Sequence, residues 1–186
     1  ASEHVGRYIA CEPEQATYNG LCAIMYDFRD LHDTEVSLHQ VGGEAFVSDC
    51  KVDICFTRPP YFDHEKYGSG KLQSCVRFPT REKWMSGFLG KMLDNCLKCL
   101  KAGGWLIVNI KGVPSYPELA EDFVKMAMGK DDLVKRPPLQ LLLSKMPTRS
   151  KTMSSLAEME MKVGRKKATH KVEPVFVFQV SSEKLR

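Results

Sequence analysis

Hydrophobic and polar positions alternate along this chain in blocks whose period switches between about two and about 3.6 residues. Arg7–Cys11 (RYIAC) reads as a short strand. Across residues 14–29, Tyr18, Leu21, Cys22, Met25 and Phe28 recur at helical spacing. Val36–Val41 predicts a second strand, and the nearly continuous apolar run Val52–Thr57 (VDICFT) a third, buried on both faces. The longest periodic stretch covers residues 80–100, where Phe88, Leu89, Met92, Leu93, Cys96, Leu97 and Leu100 share a stripe. Thr80 is placed to cap this helix, with Lys83 and Trp84 in its first turn. Ala102-Gly103-Gly104 is expected to end it ahead of a buried strand, Trp105–Ile110 (WLIVNI). A further helix is predicted over 116–128, and Leu139–Leu143 and Val175–Val180 close the pattern as antiparallel neighbours.

This β-α-β-α-β order predicts an α/β fold, a mostly parallel sheet with helices on both faces. Ligands of such sheets bind beyond the C-terminal strand ends, so the residues just after each strand are the candidates for chemistry. Glu12-Pro13 follows the first strand. An acid there can bond both hydroxyls of a ribose, and an exposed glutamate before a proline turn is the plainer alternative. Gly42-Gly43-Glu44-Ala45-Phe46 follows the second, where glycines serve either a close backbone approach to a ligand or a simple turn. Thr57-Arg58-Pro59-Pro60-Tyr61-Phe62 follows the third and is the most specific feature of the chain. Two prolines lock φ and lack N–H groups, so a rigid turn can aim carbonyls at a ligand beside an aromatic ring able to stack on a flat base.

Composition changes this picture in three places. With 186 residues, 43% hydrophobic and 27% charged, the chain is of ordinary globular type. No apolar run approaches the roughly 18 residues that span a bilayer, and no membrane role is expected. The net charge of +4 is uneven: residues 149–186 hold nine Lys/Arg against four acids, the remainder 18 against 19. A basic segment on a neutral body points to nucleic acid or to a solvated loop. The seven cysteines (Cys11, Cys22, Cys50, Cys55, Cys75, Cys96 and Cys99) are odd in number and follow no framework spacing, which suggests thiols in a reducing, intracellular compartment. Cys96 and Cys99 form a CxxC inside the helical stripe and read as a buried helix face. No metal site is expected.

Four stretches carry a resemblance: YIACEPEQATYNGL (8–21), VDICFTRPPYFDHEKYG (52–68), QSCVRFPTREKWMSGFLGKMLDNCLKCLKAGGWLIVNIKG (73–112) and VEPVFVF (172–178). Through them the chain resembles S-adenosylmethionine-dependent DNA amino-methyltransferases of phage and bacterial type, which modify exocyclic adenine N6 or cytosine N4. The resemblance implies a Rossmann-like methyltransferase sheet with an antiparallel C-terminal strand. It implies S-adenosylmethionine as cofactor and nucleic acid, DNA more than RNA, as partner. Glu12 would bind the cofactor ribose, and Gly43, Glu44 and Phe46 would lie near its adenine. Pro59 and Pro60 would present carbonyls to the target amine, and Tyr61 would stack on the flipped base. Phe62 would pack against the methionine portion. Asn109 would face the same cleft, with Lys111 beyond it. Such an amine is a weak nucleophile, and acceptors around it pull it towards sp³ geometry in line with the sulfonium methyl.

Two departures bear on activity. The family places Asp, Asn or Ser immediately before PPY, where an oxygen accepts from the target amine. Arg58 stands there in this chain, a donor-only and permanently charged group. It is suited to a phosphate or to the cofactor carboxylate. The family's glycine-rich cofactor loop also has no counterpart, since only Gly6 precedes Tyr8. Residues 1–186 are therefore expected to form one incomplete domain, lacking an N-terminal strand and loop that a partner chain, or a longer product, would supply. Residues 144–171 are expected as a polar, basic insertion in which Arg165, Lys166 and Lys167 neutralise phosphates. Two functions remain open: methyl transfer to a base amine, and a degenerate methyltransferase-fold module, a pseudoenzyme, with a structural or nucleic-acid-binding role in a larger assembly. A small-molecule or protein methyltransferase suits the fold but not the PPY turn.

Overall fold

The computed structural model describes residues 5–31, 33–65, 70–143 and 171–182. Six strands and five helices follow in the order β1 (Arg7–Cys11), α1 (Gln15–Phe28), β2 (Glu35–His39), β3 (Val52–Thr57), α2 (Ser74–Arg77), α3 (Arg81–Trp84), α4 (Lys91–Cys99), β4 (Leu100–Asn109), α5 (Leu119–Met128), β5 (Leu133–Leu143) and β6 (Lys171–Val180). β1 and β2 pair in parallel. β3, β4, β6 and β5 form a second sheet in that order. In it β3 and β4 run parallel and β6 is antiparallel to both of its neighbours. The α/β class and the antiparallel pairing of the last two strands are as predicted, while the strands divide between two sheets.

Individual elements differ from the pattern for local reasons. The stripe over residues 80–100 is one continuous run of helical backbone from Arg81 to Cys99, interrupted in its hydrogen-bond ladder. Thr80 does cap its start, its side chain accepting from the Lys83 N–H at 3.3 Å. A π-helical turn then occupies Met85–Gly90 before α4 begins. Gly87 lies against Phe78, whose ring would be 2.5 Å from a Cβ there, and glycines inside a helix weaken the regular ladder. The Ala102-Gly103-Gly104 segment falls inside β4 and not before it. Val52 pairs with Leu100, but Ile54 already pairs with Trp105, so β4 bulges, and Gly103 takes φ 74° in the bulge. β2 stops at His39 because the Val41 N–H turns back onto the His39 carbonyl at 3.0 Å. On β5, Pro137 and Pro138 fall where its register on β6 shifts, a placement open to prolines on an edge strand.

The larger difference is burial. β3 is not covered on both faces: Ile54 is 57% and Phe56 65% exposed, and Trp105, paired with Ile54, is 37% exposed. The opposite face carries Leu106, Val108 and Phe178, packed under α4 and α5, with Phe123 edge-on to Phe178 at 6.1 Å. On α1 the predicted stripe is only half-buried at Tyr18, Leu21, Cys22 and Met25 and exposed at Phe28, and no residue of that helix is fully covered. Among the described residues, β1 pairs only with β2 and β3 only with β4, so each keeps an unpaired edge.

Candidate functional site

The strand ends place the predicted residues on one edge of the molecule. Beyond β1, the Glu12 N–H donates to the His39 carbonyl at 3.0 Å, holding the ends of β1 and β2 together. Its carboxylate accepts from the Glu14 N–H at 2.8 Å, and Glu14 in turn caps α1 through Thr17. Burial pushes the neighbouring Cys11 thiol up, with the Glu44 and Glu12 carboxylates adding to the shift, so both acids lie close to the end of β1.

Beyond β2, Glu44 is buried and folds back over Gly42, where a Cβ would lie 2.3 Å from its carboxylate oxygen. An ion pair with Arg77 holds that carboxylate. Glu44 is therefore already partnered, and Arg77 was not foreseen, since no motif links residues 33 apart in the chain. Gly43 packs on Met92 of α4 and accepts from Asn95 Nδ2 at 3.1 Å through its carbonyl. The Phe46 ring lies 4.9 Å from that of His39.

Beyond β3, the two prolines lead into a tight turn in which the Phe62 N–H donates to the Pro60 carbonyl at 3.1 Å. Phe62 is held at φ 52°, a left-handed conformation rare for a bulky residue. Buried edge-on contacts hold it there, to Trp84 at 5.8 Å and to Tyr116 at 6.2 Å. Strain maintained by surrounding packing is a mark of functional turns.

Tyr61, expected to offer its ring to a base, is fully buried. Its hydroxyl proton is shared between Asn109 Oδ1 at 3.2 Å and Glu173 Oε2 at 3.4 Å. The Arg58 guanidinium stands 4.8 Å from the ring centroid and the Lys111 ammonium 5.7 Å from it. Burial raises the phenol to about 12, with Glu173 and Glu65 adding and Arg58 opposing. Asn109, expected to face a cleft, is only 1% exposed. Its Nδ2 donates to the Pro174 carbonyl at 2.9 Å, so it braces β4 against β6. Lys111 pairs with buried Glu173. Arg58 pairs with Glu65 at 2.8 Å.

The structure thus gathers Arg58, Tyr61, Asn109 and Lys111 into one polar cluster and adds Glu173 and Glu65 to it. An acid opening the apolar run VEPVFVF was the one sequence signal for Glu173. Arg165, Lys166 and Lys167 lie outside the described residues.

The sheet order, its antiparallel last strand and the clustering of polar residues beyond the strand ends define a Rossmann-like α/β fold. Solved structures share it. N-methyltransferase NodS from Bradyrhizobium japonicum matches 94% of this chain over 74% of its own length, with TM-score 0.55 and 9% identity. The same enzyme in complex with S-adenosyl-L-homocysteine matches at TM-score 0.54 over 66% of its length, also at 9% identity. A candidate rRNA-methylase from Clostridium thermocellum matches 95% of this chain over 74% of its length, with TM-score 0.54 and 13% identity. At such identities the likeness is one of fold. No protein-family profile matches the sequence, and no curated protein matches it.

Proposed function

We propose that this chain transfers a methyl group from S-adenosylmethionine to an exocyclic amine of a nucleic-acid base, DNA in preference to RNA. The observation that carries this reading is the strained Pro59-Pro60-Tyr61-Phe62 turn at the C-terminal end of β3, on the edge that also holds Glu12 and Glu44. Glu12 suits the ribose hydroxyls of the cofactor, at the end of a strand and oriented by the Glu14 N–H. Glu44 is already held by Arg77, so contact with the adenine falls to the Gly43 backbone and Phe46. The sulfonium of S-adenosylmethionine supplies an activated methyl when bound. The Pro59 and Pro60 carbonyls would accept from the target amine and fix its direction of attack. Stacking of the base on Tyr61 requires Arg58 to leave the ring face, which its single pair with Glu65 permits.

The reading includes a completing segment from another chain or from a longer form of this one. The unpaired edges of β1 and β3 and the exposed Ile54, Phe56 and Trp105 suit an added strand and a helix covering that sheet face.

Calorimetric titration of S-adenosylmethionine into the chain, with Glu12→Ala as control, tests the cofactor half. Transfer of labelled methyl to oligonucleotides tests the other. Micromolar binding abolished by Glu12→Ala, followed by labelling of adenine or cytosine, supports the proposal. Cofactor binding without labelling, even with a completing segment supplied, overturns it.

A degenerate module that binds nucleic acid without catalysis is favoured by one observation: a cation, Arg58, occupies the place of an acceptor beside a closed Tyr61. That reading requires salt-sensitive nucleic-acid binding and no cofactor binding.

A further inference from the structure

After the proline turn the chain doubles back. The His64 N–H donates to the Tyr61 carbonyl at 3.0 Å, and the next residue, Glu65, returns to Arg58. The guanidinium meets two groups. Its carbon lies 4.8 Å from the Tyr61 ring centroid, and its Nη2 donates to Glu65 Oε1 at 2.8 Å. The other oxygen of that carboxylate, Oε2, is buried. Among the described residues it is the one buried side-chain nitrogen or oxygen without a hydrogen-bond partner. The neighbouring acids are engaged: Asp63 accepts from the Ser115 hydroxyl, and Glu173 from Lys111 and Tyr61. A buried acceptor with no donor is costly and rare in folded chains. A carboxylate offers about four lone-pair sites, so Glu65 has room for a donor that the chain does not supply.

We propose that Glu65 is the acceptor for the target amine, replacing the oxygen that Arg58 denies to the position before the prolines. This inference rests on the reading of the chain as a base amino-methyltransferase. An exocyclic amine carries two N–H donors. One would meet a proline carbonyl and the other Glu65, which turns the nitrogen lone pair towards the incoming methyl. The nitrogen forms a bond to the methyl carbon, and the carbon–sulfur bond breaks with its electron pair left on sulfur. The nitrogen then gives one proton to Glu65, which passes it to solvent.

Arg58 is the competing donor in this arrangement. It stands against the Tyr61 ring and occupies one oxygen of Glu65, so its exit frees an aromatic face and an acceptor together. A planar base with an amine can use both. Adenine and cytosine present such an amine, whereas thymine presents a carbonyl that would set oxygen against oxygen. Glu65 would thus select the class of base as well as orient it.

The test measures binding of the full chain to short labelled oligothymidylates by fluorescence anisotropy. Each probe carries at one central position either adenine or purine, which lacks the amine. The wild-type chain should bind the adenine probe about tenfold more tightly, as expected for a hydrogen bond to a charged acceptor. Glu65→Ala should abolish that preference, and Glu65→Gln, which keeps an oxygen, should retain part of it. Arg58→Ala should widen it by removing the competitor. Affinity for the purine probe, set by phosphate contacts, should be the same in wild type and Glu65→Ala. A merely structural role for Glu65 would move both probes together, and circular dichroism confirms the fold of each variant. An equal preference in wild type and Glu65→Ala, or its loss in Arg58→Ala, overturns the assignment. Methyl transfer at an unaltered rate in Glu65→Ala overturns the assignment alone. Failure of the wild-type chain to bind either probe overturns the base-amine reading and this inference with it.

Discussion

The Tyr61 hydroxyl lies 3.2 Å from Asn109 Oδ1, joining the turn after β3 to the last residue of β4. Asn109 passes the tie on to β6 through the Pro174 carbonyl, and Glu173 meets the same hydroxyl from the start of that strand. Three strand ends are thus held by one buried phenol. The arrangement explains why a residue expected to be open to a ligand is closed. Burial of a polar group is tolerable only when it is bonded, and Tyr61, Asn109 and Glu173 each have a partner here.

Tyr61→Phe removes the shared donor while keeping the ring. It should lower unfolding free energy by about 1 kcal/mol. Asn109→Ala breaks both ties and leaves a cavity, and should cost roughly 2–4 kcal/mol. Urea unfolding followed by circular dichroism measures both. Equal and negligible losses would show that the cluster does not brace the strands.

Stability should fall at high pH. Burial raises both Tyr61 and Tyr116 to about 12, from an ordinary value of 10.0. In each case the folded chain holds its proton more tightly than the unfolded chain does. The stabilisation is complete below pH 10 and is lost as pH rises from there through 12. Absorbance titration of phenolate should show groups ionising late, one of which disappears in Tyr61→Phe.

Two glycines separate backbone from side-chain crowding. A Cβ at Gly112 would lie 2.1 Å from the Pro117 carbonyl oxygen, which is backbone and can move only with its loop. At Gly42 the clash is with the Glu44 carboxylate, which can swing away by giving up Arg77. Gly112→Ala should therefore destabilise more, by roughly 1–3 kcal/mol, than Gly42→Ala. Reversal of that order in thermal denaturation would contradict the packing described.

Arg58→Ser places a hydroxyl acceptor before the prolines and clears the face of Tyr61. Methyl transfer to oligonucleotides should rise from its wild-type level. Stability should change by only about 1 kcal/mol or less, because the pair with Glu65 is part-exposed. A wild-type chain already active and unchanged by the substitution would show that Arg58 is no obstacle.

Phe56 is 65% exposed. Phe56→Thr should keep the melting temperature of this chain nearly unchanged, since exposed positions usually shift stability by no more than about 0.5 kcal/mol. It should reduce binding of a hydrophobic dye and weaken capture of a completing segment. A large loss of stability would mean that the face is covered.

The sequence by itself determined the strands and most helices, because period and apolar content are local properties. β3 was placed residue for residue, and the start of the long stripe was marked by Thr80. The proline turn was legible as a rigid, candidate site because two prolines and an aromatic restrict the backbone wherever they occur. What surrounds each residue was decided only by the tertiary structure. An apolar strand reads the same whether its second face is covered or open, so the exposure of Ile54 and Phe56 had no local sign. The partners of Tyr61, Glu44 and Arg58 come from residues brought together by the fold. Charge and hydrogen bonding act across space, and at separations of tens of residues only the packed chain shows which groups meet.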